Sequence, residues 1–265
     1  MTNKDVFWEK DARGVATITI NRPEKNNAYN GAVVDGLASA VVEAAADEDV
    51  RLLLFRGEGK HFQAGADLNW LKQTSQGTAQ ENFDVSYKLG QAVDFLNNLS
   101  KPTMALVQGA CIGGGTGILA ACDVVIAADN AIFAISETRW GLMAAPIIPH
   151  LNEAMGSRHV RRYAMSCEKF DAKRAQELGL VHEVCALEDM ETTAANVIDG
   201  FLKSAPEALA DTKSVIMDAC GLNLSSSDVR ALADIHARKR QSWEAAEGIA
   251  SFIEKRDPQW YPSSS

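Results

Sequence analysis

Apolar and polar positions follow two periods along the chain. Over residues 15–20, Val-Ala-Thr-Ile-Thr-Ile, β-branched and small side chains alternate, which predicts a strand. Residues 31–46 carry apolar side chains at Val33, Val34, Leu37, Ala38, Val41 and Val42, the spacing of a helix. Between them, Asn21-Arg22-Pro23-Glu24-Lys25-Asn26-Asn27 is turn chemistry. Leu52-Leu53-Leu54-Phe55 is an unbroken apolar run, the sign of a strand buried on both faces. The polar stretch 74–80 predicts a mobile loop before a helix over 82–99, which Lys101-Pro102 ends. Strands are predicted over 103–108, 123–128 and 181–184, with a helix of small residues over 116–122. Beyond residue 187 the pattern is helical, over 190–203, 206–220, 228–239 and 243–255. The order predicts an α/β core followed by a helical tail. No sequence repeat is present, and low complexity is confined to Ser263, Ser264 and Ser265.

Composition narrows this picture. A chain of 265 residues that is 46% hydrophobic can bury a full core, as one large domain or one domain with an appendage. Its 26 basic residues stand against 35 acidic ones, a net charge of −9. That balance, and the lack of a Lys/Arg cluster, argue against nucleic acid as a partner, so an anionic ligand must be met locally. The five cysteines (Cys111, Cys122, Cys167, Cys185, Cys220) are scattered and form no CxxC pair, so neither zinc nor a disulfide framework is expected. They read as reduced thiols of a cytoplasmic protein. No apolar h-region follows the N-terminus, and no run reaches the roughly 20 residues of a membrane span.

Candidate chemistry lies in two glycine-bearing stretches, each after a predicted strand and before a helix. One is His61-Phe62-Gln63-Ala64-Gly65-Ala66-Asp67; the other is Gly109-Ala110-Cys111-Ile112-Gly113-Gly114-Gly115-Thr116-Gly117. Strand-to-helix turns are where α/β folds place ligands. Bare backbone of this kind serves close packing or aims N–H groups at a ligand. Two such N–H groups, from Ala66 and from Gly114 at a helix start, would form an oxyanion hole. GxxxxGK[ST], GxGxxG, GxSxG and HExxH are all absent, and the five histidines are dispersed. Glu137 follows the short apolar segment Phe133-Ala134-Ile135; it is either an ordinary loop glutamate or, in a desolvated pocket, a proton-transfer group.

The NRPEK turn, the AGAD stretch, the GGG turn and the S-E-x-x-x-G-L loop occur in one order. In these motifs the chain resembles the crotonase (enoyl-CoA hydratase/isomerase) superfamily over essentially its whole length. The resemblance implies a spiral of β-β-α units over 1–195, with the active site. It implies a C-terminal helical region over 196–265 used for trimerisation, giving a homotrimer or a hexamer of two trimers. The substrate would be an acyl-CoA thioester, with no further cofactor and no metal. By resemblance, Ala66 and Gly114 supply the oxyanion hole and Glu137 the acid–base group. Ala28, Ala64, Asp67, Leu68, Gly113 and Gly117 line the path of the coenzyme and acyl chain. Arg22 and Lys25 are candidate cations for its phosphates, and Phe252 and Lys255 match positions that reach the coenzyme of a neighbouring subunit.

Three departures from the family pattern bear on the reaction. The first of the two glutamates of familiar hydratases is replaced by Gly117. Asn69 stands where a phosphate-binding lysine is often found. The glycine-rich segment after the G-L pair is replaced by Met143-Ala144-Ala145-Pro146-Ile147-Ile148-Pro149-His150. The wording around Glu137, and Asp67-Leu68-Asn69-Trp70, is similar to bacterial hydratases of 3-methylglutaconyl-CoA and isohexenylglutaconyl-CoA, enzymes of leucine and acyclic terpene breakdown. A Δ3,Δ2-enoyl-CoA isomerase using the same glutamate is the alternative, and a non-catalytic binding or scaffold protein a remote one. Arg139 and His150 are the nearest cations in sequence to meet a substrate carboxylate.

Overall fold

The computed structural model describes residues 4–220 and 223–260. Cys220's side chain and Ser263–Ser265 lie outside the described residues. Strand β1 (Val6–Lys10) pairs antiparallel with β2 (Val15–Ile20). Four more strands follow in parallel: β3 (Leu52–Gly57), β4 (Thr103–Val107), β6 (Val124–Ala128) and β9 (Glu183–Cys185). The sheet order is β1-β2-β3-β4-β6-β9. A smaller sheet, β5-β7-β8, is built from β5 (Ala110–Ile112), β7 (Ile132–Ala134) and β8 (Phe170–Asp171).

The unbroken run in β3 is explained by its two faces. Leu53 and Phe55 enter the larger core with Ile18, Ala105, Val107 and Val125. Leu52 and Leu54 point the other way, onto Met104, Leu106 and Ile126. A strand covered on both sides has no polar face to declare.

The helices are α1 (Gly31–Ala46), α2 (Leu68–Ser75), α3 (Ala79–Asn97), α4 (Gly114–Ala120), α5 (Ile148–Met155), α6 (Ser157–Ser166) and α7 (Ala172–Glu177). The tail adds α8 (Met190–Lys203), α9 (Pro206–Cys220), α10 (Ser226–Arg240) and α11 (Trp243–Glu254). Helix α10 lies along α3, and α11 packs on α2 and on the turn Glu137–Trp140.

Three expectations are corrected, and several elements join those predicted. Residues 74–80 are not a loose loop: they close α2 and then cap α3. Thr78 and Glu81 form a reciprocal capping box, and Asn82 Nδ2 donates to the carbonyls of Thr74 and Gly77. A boundary at 195/196 falls inside α8, whose Met190, Ala194 and Ile198 pack together on the sheet. The helical tail therefore parts from the core only after Lys203. Strands β1, β5 and β7 and helices α2, α5, α6 and α7 carried too few periodic positions to be read. Finally, α6 does gather Arg158, Arg161 and Arg162 on the surface, beside the exposed Met165; Arg162 is paired with Glu168.

Candidate active site

The first turn is held from behind. Arg22 is buried, and its guanidinium donates to the Ala28 carbonyl at 2.5 Å and reaches Asp67 and Asp5, each at 3.4 Å. Asn27 accepts from the Arg22 amide and donates to the carbonyls of Glu58 and His61. Asp67 also caps α2, accepting from the amides of Asn69 and Trp70. These bonds fasten the NRPEK turn to the AGAD stretch. Arg22 and Asp67, expected at the coenzyme, thus have their charges matched within the protein. Lys25 is exposed in its 3-10 turn. The Ala64 amide donates to the Asn26 carbonyl, and Leu68 packs with Leu71 and Ile249.

Tyr29 and Ala66 form a parallel bridge. The Tyr29 amide donates to the Gly65 carbonyl, and the Asp67 amide donates to the Tyr29 carbonyl. This pattern turns the N–H of Ala66 away from Tyr29, and among the described residues it has no acceptor. The second turn leaves β5 and starts α4. Gly113 holds φ at 57°, a left-handed conformation that glycine adopts without strain, and its amide donates to the Ala134 carbonyl. Gly114, the first residue of α4, has no acceptor for its amide among the described residues. The Tyr29 ring lies against Gly114: a Cβ placed there would be 2.9 Å from the ring. Tyr29 thus joins the two turns, its backbone at Ala66 and its ring at Gly114.

Glu137 reaches the same place through the small sheet. Strands β5 and β7 run parallel with Ile112 opposite Ala134, so the segments leaving them emerge side by side. A Cβ on Gly113 would lie 2.9 Å from Glu137 Oε1. The residue is half-buried as a whole, yet its Oε2 is shut off from solvent and bonded to nothing. Burial pushes the carboxyl pKa up to about 7, with the amides of Glu137 and Ser136 pulling it back in part. A carboxyl near 7 exchanges protons readily at neutral pH. Helix α11 supports this turn at backbone distance, for a Cβ on Gly248 would lie 2.2 Å from the Trp140 carbonyl. Phe252 packs its ring edge-on against Trp140 at 4.5 Å, and Lys255, just after α11, is exposed.

Glu137, Gly114, Tyr29 and Gln63 line one cavity of about 610 Å³. Its other walls come from α1 (Val34, Leu37, Val41), α3 (Val93, Leu96), Ile118, Pro146, Ile147 and α10 (Val229, His236). Ala66 does not line it directly; its bridge partner Tyr29 does.

Other expected residues fall elsewhere. Gly117 is buried, a Cβ there would lie 2.3 Å from Ile147 Cγ2, and it does not line the cavity. Arg139 is exposed and donates to the Ser166 carbonyl. His150 is fully buried with both ring nitrogens unpartnered, its pKa pushed down to about 4 by burial, and it does not line the cavity.

Three residues were missed. Tyr29 stands just past the turn 21–27 with no motif of its own. Ile147 lies in the segment that departs from the family pattern, and it occupies the space a side chain at position 117 would need. Arg240 falls between the predicted helices 228–239 and 243–255.

Known proteins share this architecture. Residues 10–262 match the family described as Enoyl-CoA hydratase/isomerase. The crystal structure of an enoyl-CoA hydratase from Shewanella pealeana aligns with a TM-score of 0.79 at 32% identity, covering 98% of this chain and 97% of that one. The mevalonyl-coenzyme A hydratase of Aspergillus fumigatus is 29% identical over 252 residues, 94% of this chain and 92% of its own. The mitochondrial Δ(3,5)-Δ(2,4)-dienoyl-CoA isomerase of Dictyostelium discoideum is 28% identical over 260 residues, 94% and 88% of the two chains. By that match and by this fold, the chain belongs to the enoyl-CoA hydratase/isomerase family, within the crotonase superfamily, and is an enzyme of the enoyl-CoA hydratase type.

Proposed function

We propose that the protein adds water to a 3-substituted glutaconyl-CoA thioester, 3-methylglutaconyl-CoA or isohexenylglutaconyl-CoA. The thioester carbonyl binds between the N–H groups of Ala66 and Gly114. Glu137 takes a proton from water, whose oxygen bonds to C3. The C2–C3 double bond becomes an enolate whose charge rests on the two amides, and a proton then reaches C2. Losing one donor of an oxyanion hole costs roughly 10²–10³ in rate in other enzymes, so the amides matter about as much as the base. The observation that carries this reading is the buried Glu137 carboxyl, unpartnered at Oε2, beside Gly113 and Gly114. The apolar walls from α1 and α3 suit an alkyl branch at C3. Gly113 lies beneath the carboxyl and Ala28, Ala64 and Leu68 border the first turn; Lys25 is the cation there left to meet the coenzyme's phosphates.

The test is a substrate panel of crotonyl-, 3-methylglutaconyl-, isohexenylglutaconyl- and 3-hexenoyl-CoA, followed by loss of the ultraviolet band of the conjugated thioester. Hydration of a glutaconyl thioester well above crotonyl-CoA is expected; failure to hydrate either one sinks the substrate assignment. Ile147 supports a second reading. With Ile147 filling the place of a second carboxylate, Glu137 alone could shuttle a proton between C2 and C4, as in Δ3,Δ2 isomerisation. Gain of the conjugated band from 3-hexenoyl-CoA without water uptake would favour it.

We also propose a cytoplasmic homotrimer, or a hexamer of two. Exposed apolar residues of the tail support this: Trp243, Phe252, Ile253 and Trp260. Phe252 and Lys255 would then meet a neighbour's coenzyme. Light scattering on the purified protein decides the assembly, and a monomeric mass refutes it.

A further inference from the structure

Arg240 is the most conspicuous group that this chemistry leaves unused. It is 1% exposed and ends α10, where that helix crosses α3. Its Nη2 donates to Ser86 Oγ at 2.6 Å and to His236 Nδ1 at 3.1 Å, and its Nη1 reaches Asn82 Oδ1 at 3.4 Å. None of these partners is acidic. Its Nε–H is buried with no acceptor. Of the five N–H donors of a guanidinium, three are used and two are free.

An arginine stays charged at any ordinary pH, and a buried charge without a counter-charge is costly. The fold tolerates it at a particular place. His236, which it touches, lines the cavity, as does Tyr29. Tyr29 interacts electrostatically with both Glu137 and Arg240. His236 is held neutral: burial, with Arg240 adding to it, pushes its pKa down to about 3. Because a guanidinium can only donate, Nδ1 of His236 accepts, which puts the ring proton on Nε2, free for a ligand.

We propose that Arg240 and His236, held by Ser86 and Asn82, form the binding subsite for a second carboxylate carried on the acyl group, at the α10 wall of the cavity that Glu137 also lines. This rests on the glutaconyl reading above and names the group that would recognise it. Arg139 and His150, the nearer cations in sequence, do not line the cavity; Arg240 does not line it either, but it touches His236, which does. A carboxylate of a dicarboxylic acyl chain, accepting from His236 Nε2 in the cavity, would supply the missing counter-charge to the guanidinium behind it.

The test uses saturated thioesters that cannot react, so that binding is separated from turnover. Calorimetry on the wild-type protein compares glutaryl-CoA with valeryl-CoA, which have the same carbon count but differ by the carboxylate. A preference for glutaryl-CoA of about tenfold or more is expected, the worth of a charge-assisted contact. Arg240→Met should collapse that ratio to near unity, Arg240→Lys should restore part of it, and His236→Ala should reduce it. A smaller wild-type preference, or an Arg240→Met variant that is folded by circular dichroism and keeps the ratio, overturns the proposal. Should Arg240→Met fail to fold, the wild-type ratio and its fall in His236→Ala decide. A preference without hydration of 3-methylglutaconyl-CoA keeps the subsite and rejects the reaction. Hydration without a preference rejects the subsite alone.

Discussion

Two buried arginines show how this fold distinguishes a strut from a binding group. Around Arg22, charges and hydrogen bonds close on themselves: Asp5, Asp67 and the Ala28 carbonyl take its donors, and Asp67 in turn caps α2. Around Arg240 they do not close, and Glu137 Oε2, on the cavity that His236 also lines, is likewise without a partner among the described residues. Buried polar atoms are almost always paired, so unpaired ones at a cavity mark where something else is meant to bind. The first region holds the NRPEK turn against the AGAD stretch; the second leaves a charge unmatched behind the cavity wall.

Substitutions in the two regions should therefore fail differently. The largest effect is expected at Glu137. Glu137→Gln should lower kcat for hydration by about 10²–10⁴, the range of one acid–base group, while coenzyme A thioesters still bind. Retained turnover would remove Glu137 from the mechanism. The variant should not be less stable at pH 8. Because the folded pKa lies near 7, above the ordinary value of 4.5, burial favours the protonated form. The stability linked to that proton is full at low pH and is lost as pH rises through about 7. The advantage of Gln over Glu in thermal melts should thus grow between pH 5 and 8.

Arg22→Met comes next, and acts on folding. It strands Asp67 beside an apolar chain and should cost about 3 kcal/mol of stability in denaturant titrations, the scale of breaking a buried pair. Any loss of activity should be equal for dicarboxylic and monocarboxylic thioesters, unlike the selective loss expected at Arg240. A selective loss at Arg22 would erase the contrast between the two regions.

Gly117→Glu is smaller. Restoring a glutamate there meets Ile147, so the single change should destabilise the fold by about 1–3 kcal/mol with no gain on crotonyl-CoA. Even with Ile147→Ala the remaining Cβ would lie 2.8 Å from the new one, so room for a second carboxylate calls for Gly117→Glu with Ile147→Gly. A gain in crotonyl-CoA hydration from Gly117→Glu alone would show that Ile147 yields. The pH profile tests the same carboxyl without a substitution. If Glu137 must be ionised to act as base, kcat/KM should fall about tenfold per unit below pH 7, and a flat profile down to pH 5 would place its pKa elsewhere.

The sequence alone determined five strands of the main sheet, all but β1, and the tail. The alternation in β2, the unbroken run in β3 and the helical spacing of α1, α8 and α9 are local signals, because each reports burial on one or two faces of a single element. It also determined the glycine turns and Glu137, whose motifs are contiguous. Only the tertiary structure decided which charges were free. Arg22 and Arg240 look alike in sequence, and their partners lie 45 and 154 residues away for Asp67 and Ser86. The same holds for Gly117, whose missing side chain is answered by Ile147 from another segment. A sequence shows which groups can carry a charge. Whether that charge is neutralised depends on what packs against it.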